Sequence, residues 1–504
     1  MRFWTLAARG GSSAAFDGRS IPALGVARRS NIPDILPPRA WIAGRLARLD
    51  ATRHFHHGLL AVAGRAGRWA TFGALVATAV LVTAPGAGTA PAITPAAALS
   101  PAPLRSQEIR ALWVLRGSLT RADKIDRLVA AAARSGFNTL LVQVRGRGDA
   151  YYDSALEPRG VGVAGTFDPL AYTIAAASKA GLRVHVWFNT NLVASPATMP
   201  TSRLHVVNAH PEWLMVPRPI AADLAKLGPR HPRYVPRLVE WTKRNAAGVE
   251  GLYASPVSAD AAQHVERVVT DIVTRYQVSG VHLDYIRYPS NLFDHSQASL
   301  LAFRDSLQRE LSPSDRQRLD DRLRRDPLVY ADAFPEKWAN FRRLRLADLV
   351  ARIRGAVHRV RPDALITAAV IPDAREAFEH KMQDWPDWAR RGLVDAFCPM
   401  AYTASLPIFN RQVAAARQAA APRPVWAGIG AYRLTAAQTI DHIAAARNAG
   451  AAGVVLFSYD SLVESAARDP LGAIGRVAFA PAQADTDPTR DGSAGRGRSL
   501  ADAR

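Results

Sequence analysis

Carboxylates that could act on a substrate stand at the ends of apolar segments. Asp284 lies near the end of GVHLDY (280–285), where His282 and Asp284 share one parity and the apolar residues share the other. In a strand, this alternation places His282 and Asp284 on the same face. Asp149 and Asp373 follow two other apolar segments. Two carboxyl groups at one site are typical of acid–base or nucleophilic catalysis, so we expect Asp284 to work with a second carboxylate such as Asp373.

Further polar and aromatic side chains occupy comparable positions near the other segments. The parity of the strands directs Arg145 and Asn189 towards the same interior as Asp284. We predict that substrate is bound by Arg145, Tyr152, Trp187, Asn189, His282, Arg287, Tyr402, Tyr432 and Tyr459. Aromatic rings beside paired carboxylates are typical of a carbohydrate site, because such a ring can stack on the face of a sugar.

Each of these residues also has a structural alternative. Asp284 could be satisfied by an ion pair with Arg287 or Arg145, and Asp373 could cap a helix or form an ion pair nearby. A histidine such as His282 is often a satisfied core residue, and the tyrosines could pack at the end of the fold. The sequence leaves both sets of roles open.

Other kinds of chemistry are disfavoured by missing patterns. The only His-x-His pattern, at His54 and His56, lies far from these segments, and HExxH, GxSxG and P-loop patterns do not occur. The single cysteine, Cys398, excludes an intramolecular disulfide and a cysteine-based metal cluster. We therefore expect no metal and no cofactor. No basic run is interleaved with aromatic residues, so we expect a polysaccharide partner and no nucleic acid.

The elements that must position these residues alternate between apolar strands and amphipathic helices. The predicted strands span 109–115, 138–144, 182–188, 280–285, 364–371, 395–402, 424–430 and 452–458. Eight strand–helix units without a Gly-rich phosphate loop favour an α/β fold of the (β/α)8 TIM-barrel type over a doubly wound open sheet. Long insertions at 190–260 and 288–340 follow the third and fourth strands. They should lie at the carboxyl-end face, where barrel enzymes build their sites.

Two helix boundaries carry clear signals. Asp168 and Pro169 begin a predicted helix that Gly181 ends, and Thr435 with Gln438 forms a capping box for a later helix. Both helices are expected to cover the outside of the barrel.

The composition and termini indicate an exported protein. Of 504 residues, 48% are hydrophobic and 21% charged, as in ordinary globular proteins. Residues 69–84 form an apolar run that is short for a membrane span but suits a signal peptide. We predict a doubtful leader or cytoplasmic extension at 1–60, a signal peptide or signal anchor at 61–90, an Ala/Pro-rich linker at 91–107, the barrel at 108–478 and a disordered tail at 479–504. The expected location is the periplasm or cell envelope, with membrane contact only through an uncleaved signal anchor.

Several ordered motifs resemble glycosyl hydrolase-like family ten. They are EIRALWV (108–114), NTLLVQVRGRGDAYYDS (138–154), VHVWFN (184–189), HPEWL (210–214), GVHLDYIRYP (280–289), WxxFRR (338–343) and the DW…DW pattern at 384–388. The resemblance covers roughly residues 108–465. It implies a bacterial envelope protein with a (β/α)8 domain that hydrolyses glycosidic bonds. One member of that family cleaves peptidoglycan strands already stripped of their peptides.

The resemblance also implies roles for particular residues. The family's strand-four Asp corresponds to Asp284, and its strand-two Arg and Asp correspond to Arg145 and Asp149. Some relatives carry two adjacent acids on strand four, whereas Tyr285 follows Asp284 in this chain. Strand six often reads Pro-Gln-x-Tyr-Trp, whereas PMAYT stands at 399–403. The first departure leaves the partner carboxylate of Asp284 unsettled between Asp373 and Asp149, and the second alters a sugar-stacking wall.

The expected function is hydrolysis of an envelope polysaccharide, namely the glycan of peptide-stripped peptidoglycan. The surplus of +13 positive charges after residue 90, with Arg145, Arg147 and Arg287 near the mouth, would hold an anionic polymer, although an Arg-rich genome would also explain the charge. One alternative is a catalytically weak barrel that binds glycan during envelope assembly, and it predicts binding that survives loss of Asp284. Another is an amylase-like hydrolase or transglycosidase, which predicts activity on soluble α-glucans.

Overall fold

The computed structural model describes residues 108–464 and 469–479. The predicted leader, signal segment and linker, and all but the first residue of the predicted tail, lie outside these ranges. Within them, no helix is both long enough and apolar enough to span a bilayer.

Eight parallel strands form a nearly closed barrel. In chain order, β1 to β8 span Ile109–Val114, Thr139–Arg145, Arg183–Asn189, Gly280–Asp284, Leu365–Val370, Ala396–Pro399, Trp426–Ile429 and Gly453–Phe457. They are hydrogen-bonded in the order β6-β5-β4-β3-β2-β1-β8-β7. Isolated bridges join the remaining seam, from Phe397 to Val425 and from Met400 to Gly428. The prediction of a (β/α)8 barrel is therefore confirmed.

Helices surround the barrel and also form part of its loops. Among the described residues, α1 to α16 span Ala122–Arg134, Pro169–Lys179, Val206–Ala209, Ala221–Leu227, Tyr234–Arg244, Ala259–Arg275, Gln297–Ser306, Pro313–Leu323, Val329–Ala333, Pro335–Val360, Ala374–His380, Trp385–Arg390, Leu406–Ala420, Ala436–Asn448, Tyr459–Val463 and Pro470–Ala478. Short 3-10 helices span Arg116–Leu119, Pro211–Trp213, Arg218–Ile220 and Ala431–Arg433. The two predicted boundaries are confirmed, since Asp168 caps α2 and Thr435 with Gln438 forms the capping box of α14.

The inside of the barrel is a packed core rather than a channel. Inward side chains of the strands form one buried cluster of Ile109, Ala111, Trp113, Leu141, Trp187, Ala396, Cys398, Trp426 and Val455. His282 lies among them, with Nδ1 2.9 Å from Oγ1 of Thr367 and Nε2 accepting a 3.0 Å hydrogen bond from the Trp113 indole. Burial lowers the pKa of His282 well below its usual value, so this histidine is neutral. A substrate can therefore reach the strand ends but not the interior.

A bulge in β2 reverses the direction of Arg145. Gln143 pairs with Trp187 of β3, but Arg145 pairs with Phe188, so β2 contains one extra residue at this point. A shift of one residue turns a strand's side chains to the opposite face. The guanidinium of Arg145 accordingly packs over the Phe188 ring, with Cζ 4.7 Å from the ring centroid. The predicted inward orientation of Arg145 is wrong for this reason.

The chain between β3 and α6 returns to the barrel mouth as a short ribbon. Leu192–Ala194 pairs antiparallel with Leu252–Tyr253. The backbone N–H of Thr190 donates to the carbonyl of Asp284 over 2.8 Å, which fastens the start of the ribbon to the end of β4. A Cβ added at Gly251 would lie 2.0 Å from a carbonyl oxygen of the opposite strand, so glycine permits this close pairing.

Candidate active site

Asp284 lies at the carboxyl end of β4, beside the end of β3. Its Oδ2 accepts a 3.1 Å hydrogen bond from the indole of Trp187, and its Oδ1 accepts a 2.7 Å bond from the backbone N–H of Tyr285. The residue is 7% exposed. Burial raises the pKa of the Asp284 carboxyl above its usual value, and the nearby charge of Arg287 offsets part of that rise. Asp284 is thus a nearly buried carboxyl group held in a fixed orientation.

A second carboxylate, which we did not predict from the sequence, reaches this site from the ribbon. Nη2 of Arg287 lies 3.3 Å from Oε1 of Glu250, and Nη1 of the same guanidinium lies 3.7 Å from Oδ1 of Asp284. The hydroxyl of Tyr253 donates to Oε2 of Glu250 over 2.7 Å. Arg287 is itself only 6% exposed. One buried cation therefore bridges two carboxylates from different parts of the chain.

The pKa values of these two carboxyl groups are shifted in opposite directions. Burial also acts to raise the pKa of Glu250, but the charges of Arg287 and Lys381 and the Tyr253 hydrogen bond lower it overall. The pKa of Asp284 is raised. Asp284 keeps its proton to higher pH than usual, whereas Glu250 is ionised.

The backbone after Asp284 is strained. Tyr285 has a φ of +49°, in the left-handed region that a tyrosine rarely adopts. Such a conformation costs about 1–3 kcal/mol and persists where the surroundings fix it, often at functional sites. The Arg287 guanidinium covers the Tyr285 ring, with Cζ 4.3 Å from the centroid. This turn brings Arg287 back beside Asp284.

Trp187 and Asn189 connect Asp284 to the neighbouring strand ends. The Trp187 indole N–H is shared between Asp284 and Oδ1 of Asn189, which lies 2.9 Å away. The Asn189 amide donates to the carbonyl of Gly146 over 2.6 Å. Trp187 is 1% exposed, so it touches Asp284 through its edge and offers no face to a sugar. Both residues were predicted to bind substrate, and the structure places them behind the carboxylate instead.

Aromatic side chains form a wall at the opposite side of the barrel ends, on β6 to β8. The rings of Tyr402 and Phe457 are nearly parallel, with centroids 5.5 Å apart. Tyr432 stands almost perpendicular to Tyr402, with centroids 6.1 Å apart, and is 45% exposed. The structure thus brings the predicted residues Tyr402 and Tyr432 together, with an exposed ring at the rim.

Other predicted binding residues lie away from the mouth. Tyr152 and Tyr459 belong to the large core between the strands and the outer helices, and both are buried. His282 lies inside the barrel and is fully buried. Arg145 forms a buried ion pair with Glu157, whose Oε1 lies 2.7 Å from Nη2. These four side chains are buried and contact other parts of the protein.

Asp373 and Asp149 both bind backbone amides. Oδ1 of Asp373 accepts hydrogen bonds from the N–H groups of Arg375 and Glu376 at the start of α11, and the residue is exposed. Oδ1 of Asp149 accepts 2.7 Å and 3.2 Å bonds from Arg147 and Gly146 and so closes the turn after β2. Glu250, not these residues, shares a cation with Asp284.

The arrangement can support acid–base or nucleophilic chemistry without an added group. Two carboxyl groups with differently shifted pKa values are adjacent to the same guanidinium, and an aromatic wall stands nearby. Within the described ranges, no cluster of three or more His, Cys, Asp or Glu side chains is arranged to hold a metal ion.

Known proteins resemble this chain in sequence. The family model for glycosyl hydrolase-like 10 matches residues 108–445. The glycosyl hydrolase YngK of Bacillus subtilis is 26% identical over 203 residues, which cover 36% of this chain and 34% of YngK. The glycosyl hydrolase DigH of Escherichia coli K12 is 23% identical over 312 residues, which cover 56% of this chain and 57% of DigH. The chain thus spans only part of the length of these relatives.

A solved structure shares the fold. The glycoside hydrolase domain of PgaB (BpsB) from Bordetella bronchiseptica superposes with a TM-score of 0.52 at 14% identity, covering 74% of this chain and 99% of that domain. Identity at this level is evidence of a common fold alone. Because the family model matches more than half of its residues, this chain belongs to the glycosyl hydrolase-like 10 family.

Proposed function

We propose that this protein is an exported glycoside hydrolase that cleaves the glycan of peptide-stripped peptidoglycan. In this proposal Asp284 is the general acid, and Glu250 is the general base or the nucleophile. The observation that carries the proposal is the Arg287 guanidinium, which lies 3.7 Å from Asp284 and 3.3 Å from Glu250 at the carboxyl end of the barrel. Barrel enzymes build their active sites at that end.

The opposite pKa shifts match the needs of the reaction. Glycoside hydrolysis requires one carboxyl group that protonates the leaving oxygen and one carboxylate that activates water or attacks the anomeric carbon. Burial raises the pKa of Asp284, so this group can hold the proton. Arg287, Lys381 and Tyr253 lower the pKa of Glu250 although burial acts to raise it, which favours the ionised form of this group.

The surrounding residues would position the two groups. The Trp187 indole and the Tyr285 N–H each hold one oxygen of Asp284, which fixes the plane of the carboxyl group. The Tyr253 hydroxyl does the same for Glu250. The charge of Arg287 would stabilise the carboxylate that Asp284 becomes after it gives up its proton, since a nearby cation favours the charged form.

We infer the substrate class from the aromatic wall of Tyr402, Tyr432 and Phe457 and from the positive charge of the chain. The exposed ring of Tyr432 beside Tyr402 offers a surface on which a sugar ring can stack. Stripped peptidoglycan carries a lactyl carboxylate on every second sugar, and the surplus of +13 positive charges after residue 90 favours an anionic polymer. The apolar run at 69–84 supports export to the periplasm or cell envelope. Two relatives named glycosyl hydrolases are consistent with this class of reaction.

Product analysis on cell-wall sacculi tests the proposal. Purified protein is incubated with intact sacculi, with amidase-stripped sacculi and with soluble starch, and the products are identified by mass and by new reducing ends. We expect soluble oligosaccharides from stripped sacculi alone, and none with the Asp284→Asn variant. Cleavage of starch would instead support an amylase-like enzyme. Binding to stripped glycan without cleavage, retained in Asp284→Asn, would support a glycan-binding barrel.

A further inference from the structure

Two arginines lie at the ends of β1 and β2, on the side of the mouth that Asn189 connects to Asp284. Arg116 donates to Oε1 of Gln143 over 3.0 Å, and Gln143 lies 3.5 Å from Oδ1 of Asn189. Arg116 covers the loop that carries Arg147, since a Cβ added at Gly146 would lie 2.7 Å from its Cδ.

Neither arginine has a carboxylate partner among the described residues. Every other guanidinium discussed above does: Arg145 pairs with Glu157, and Arg287 pairs with Glu250. The guanidinium of Arg147 makes no hydrogen bond within the described part of the chain, although this side chain is largely covered. Burial, followed by the charge of Arg116, lowers the pKa of Arg147, which shows that the two cations act on each other. A carboxylate bound between these two guanidinium groups would supply an opposite charge that the described residues do not provide.

The loop that carries Arg147 is held rigidly. Asp149 accepts the N–H of Arg147 over 2.7 Å, and Nε2 of His205 lies 2.7 Å from the Arg147 carbonyl. Asn189 binds the carbonyl of Gly146 on the other side. The backbone that carries Arg147 and the side chain of Arg116 are thus held before any ligand arrives, which lowers the entropy cost of binding. Asp149 uses Oδ1 for the turn, and it is not within ion-pair distance of the Arg147 guanidinium.

We infer that Arg116 and Arg147 together bind the carboxylate of an acidic sugar residue while a neighbouring glycosidic bond lies at Asp284. Guanidinium groups suit this ligand because their planar donors match a carboxylate in two parallel hydrogen bonds. The position also suits it, since the network from Arg116 through Gln143 and Asn189 ends at Trp187, which holds Asp284. This inference rests on the proposed glycosidase function and names the residues that would select acidic glycans.

Calorimetric binding to an inactive variant tests the inference apart from turnover. On the Asp284→Asn background, we compare three probes: the tetrasaccharide of alternating GlcNAc and MurNAc, chitotetraose, which has the same backbone without lactyl groups, and a hyaluronan tetrasaccharide, whose carboxylates belong to the sugar rings. We expect tighter binding of the first probe than of chitotetraose. Arg147→Gln and Arg116→Gln should each lower the affinity for the GlcNAc–MurNAc tetrasaccharide about 10- to 100-fold, as expected for the loss of hydrogen bonds to a charged group.

The comparison between probes decides the outcome. Arg147→Gln should not change the affinity for chitotetraose. Arg267→Gln, at an exposed position on α6, should bind all three probes as tightly as the Asp284→Asn protein does. Tighter binding of the hyaluronan tetrasaccharide than of the GlcNAc–MurNAc tetrasaccharide would support a carboxylate site, but one that recognises carboxylates on the sugar ring and not lactyl groups. Equal losses on acidic and neutral probes, an acidic preference that survives both substitutions, or no binding of any acidic probe would overturn the inference. A carboxylate preference without hydrolysis of stripped sacculi by the wild type would reject the proposed function alone.

Discussion

The indole nitrogen of Trp187 lies 3.1 Å from Oδ2 of Asp284, while the ring that carries it is 1% exposed. The two residues belong to neighbouring strands, where Trp187 pairs with His282 and Asn189 pairs with Asp284. Trp187 therefore acts on the carboxyl group by donating a hydrogen bond and not by stacking on a sugar. A donor to the ionised form of a carboxyl lowers its pKa, so Trp187 restrains the rise that burial imposes on Asp284.

Trp187→Phe should remove this donor and keep most of the buried ring. We expect the pKa of Asp284 to rise further, so the basic limb of the pH dependence of kcat/KM should move to higher pH. The fall in kcat should exceed any rise in KM, because the glycan does not touch this ring. A rise in KM with unchanged kcat and an unchanged pH profile would identify Trp187 as a sugar-binding residue instead.

Asp284→Asn and Glu250→Gln should each lower the rate by about 100- to 10,000-fold, which is the usual worth of a positioned acid or base. Both substitutions change charge with little change in volume, so circular dichroism should show a retained fold, while the melting temperature should fall because each variant removes one of the two carboxylates beside the buried Arg287. Asp373→Asn is the matched control, since asparagine also caps helices well and the site at α11 is exposed. Full activity in Glu250→Gln combined with loss in Asp373→Asn would make Asp373 the partner.

The pH dependence of kcat/KM should be bell-shaped. The acidic limb reports ionisation of Glu250, whose pKa lies below its usual value, so activity is lost only as pH falls through that lowered pKa. The basic limb reports loss of the proton from Asp284, whose pKa lies above its usual value. Replacing Arg287 with Gln should raise both pKa values and move both limbs to higher pH, since the shared cation favours both carboxylates. An acidic limb that persists unchanged in Glu250→Gln would contradict the assignment.

Regular strands could be predicted from the sequence, because their side chains alternate without interruption. The parity of GVHLD places His282 inside the barrel and Asp284 at its end, as observed. Parity failed at Arg145, because the β2 bulge inserts one residue that no local pattern reveals. It also failed at Tyr459, which is the first residue of α15 and not the last of β8, so helical geometry directs its ring into the core.

Glu250 was missed for a different reason. It stands beside Gly251, and its place depends on pairing of the ribbon strands Leu192–Ala194 and Leu252–Tyr253, which are far apart in sequence. A local pattern cannot give such a register. The available signal was weak: an acid and a glycine before a short apolar run, within an insertion expected at the mouth. The departure at Tyr285 left the partner acid unsettled and did not point to Glu250.

Glu157→Gln should destabilise the protein while leaving the active site in place. Arg145 and Glu157 form a buried pair, with His264 Nε2 3.3 Å from the same carboxylate oxygen, and removing one member of such a pair costs about 3–5 kcal/mol. Burial opposes ionisation, but Arg145 and His264 lower the pKa of Glu157 to about 2. The stabilisation is thus fully present above the unfolded-state pKa of about 4.3 and is lost as pH falls towards 2. Melting curves at pH 7 and pH 3 should therefore differ less in the variant than in the wild type.

Tyr432→Ala should weaken glycan binding without slowing the chemical step. The ring is 45% exposed and stands across Tyr402 and Phe457, with centroids 6.1 Å and 5.9 Å away, so it can contact a sugar at the rim of the site. Loss of an aromatic contact of about 0.5–1.5 kcal/mol corresponds to a rise in KM of about 2- to 12-fold. Tyr432→Phe should keep wild-type KM because the stacking face is retained. Tyr172→Ala, on the outer helix α2, controls for loss of an aromatic ring elsewhere on the surface. A fall in kcat with unchanged KM in Tyr432→Ala would place Tyr432 with the positioning residues around Asp284 and not in the wall that binds the glycan.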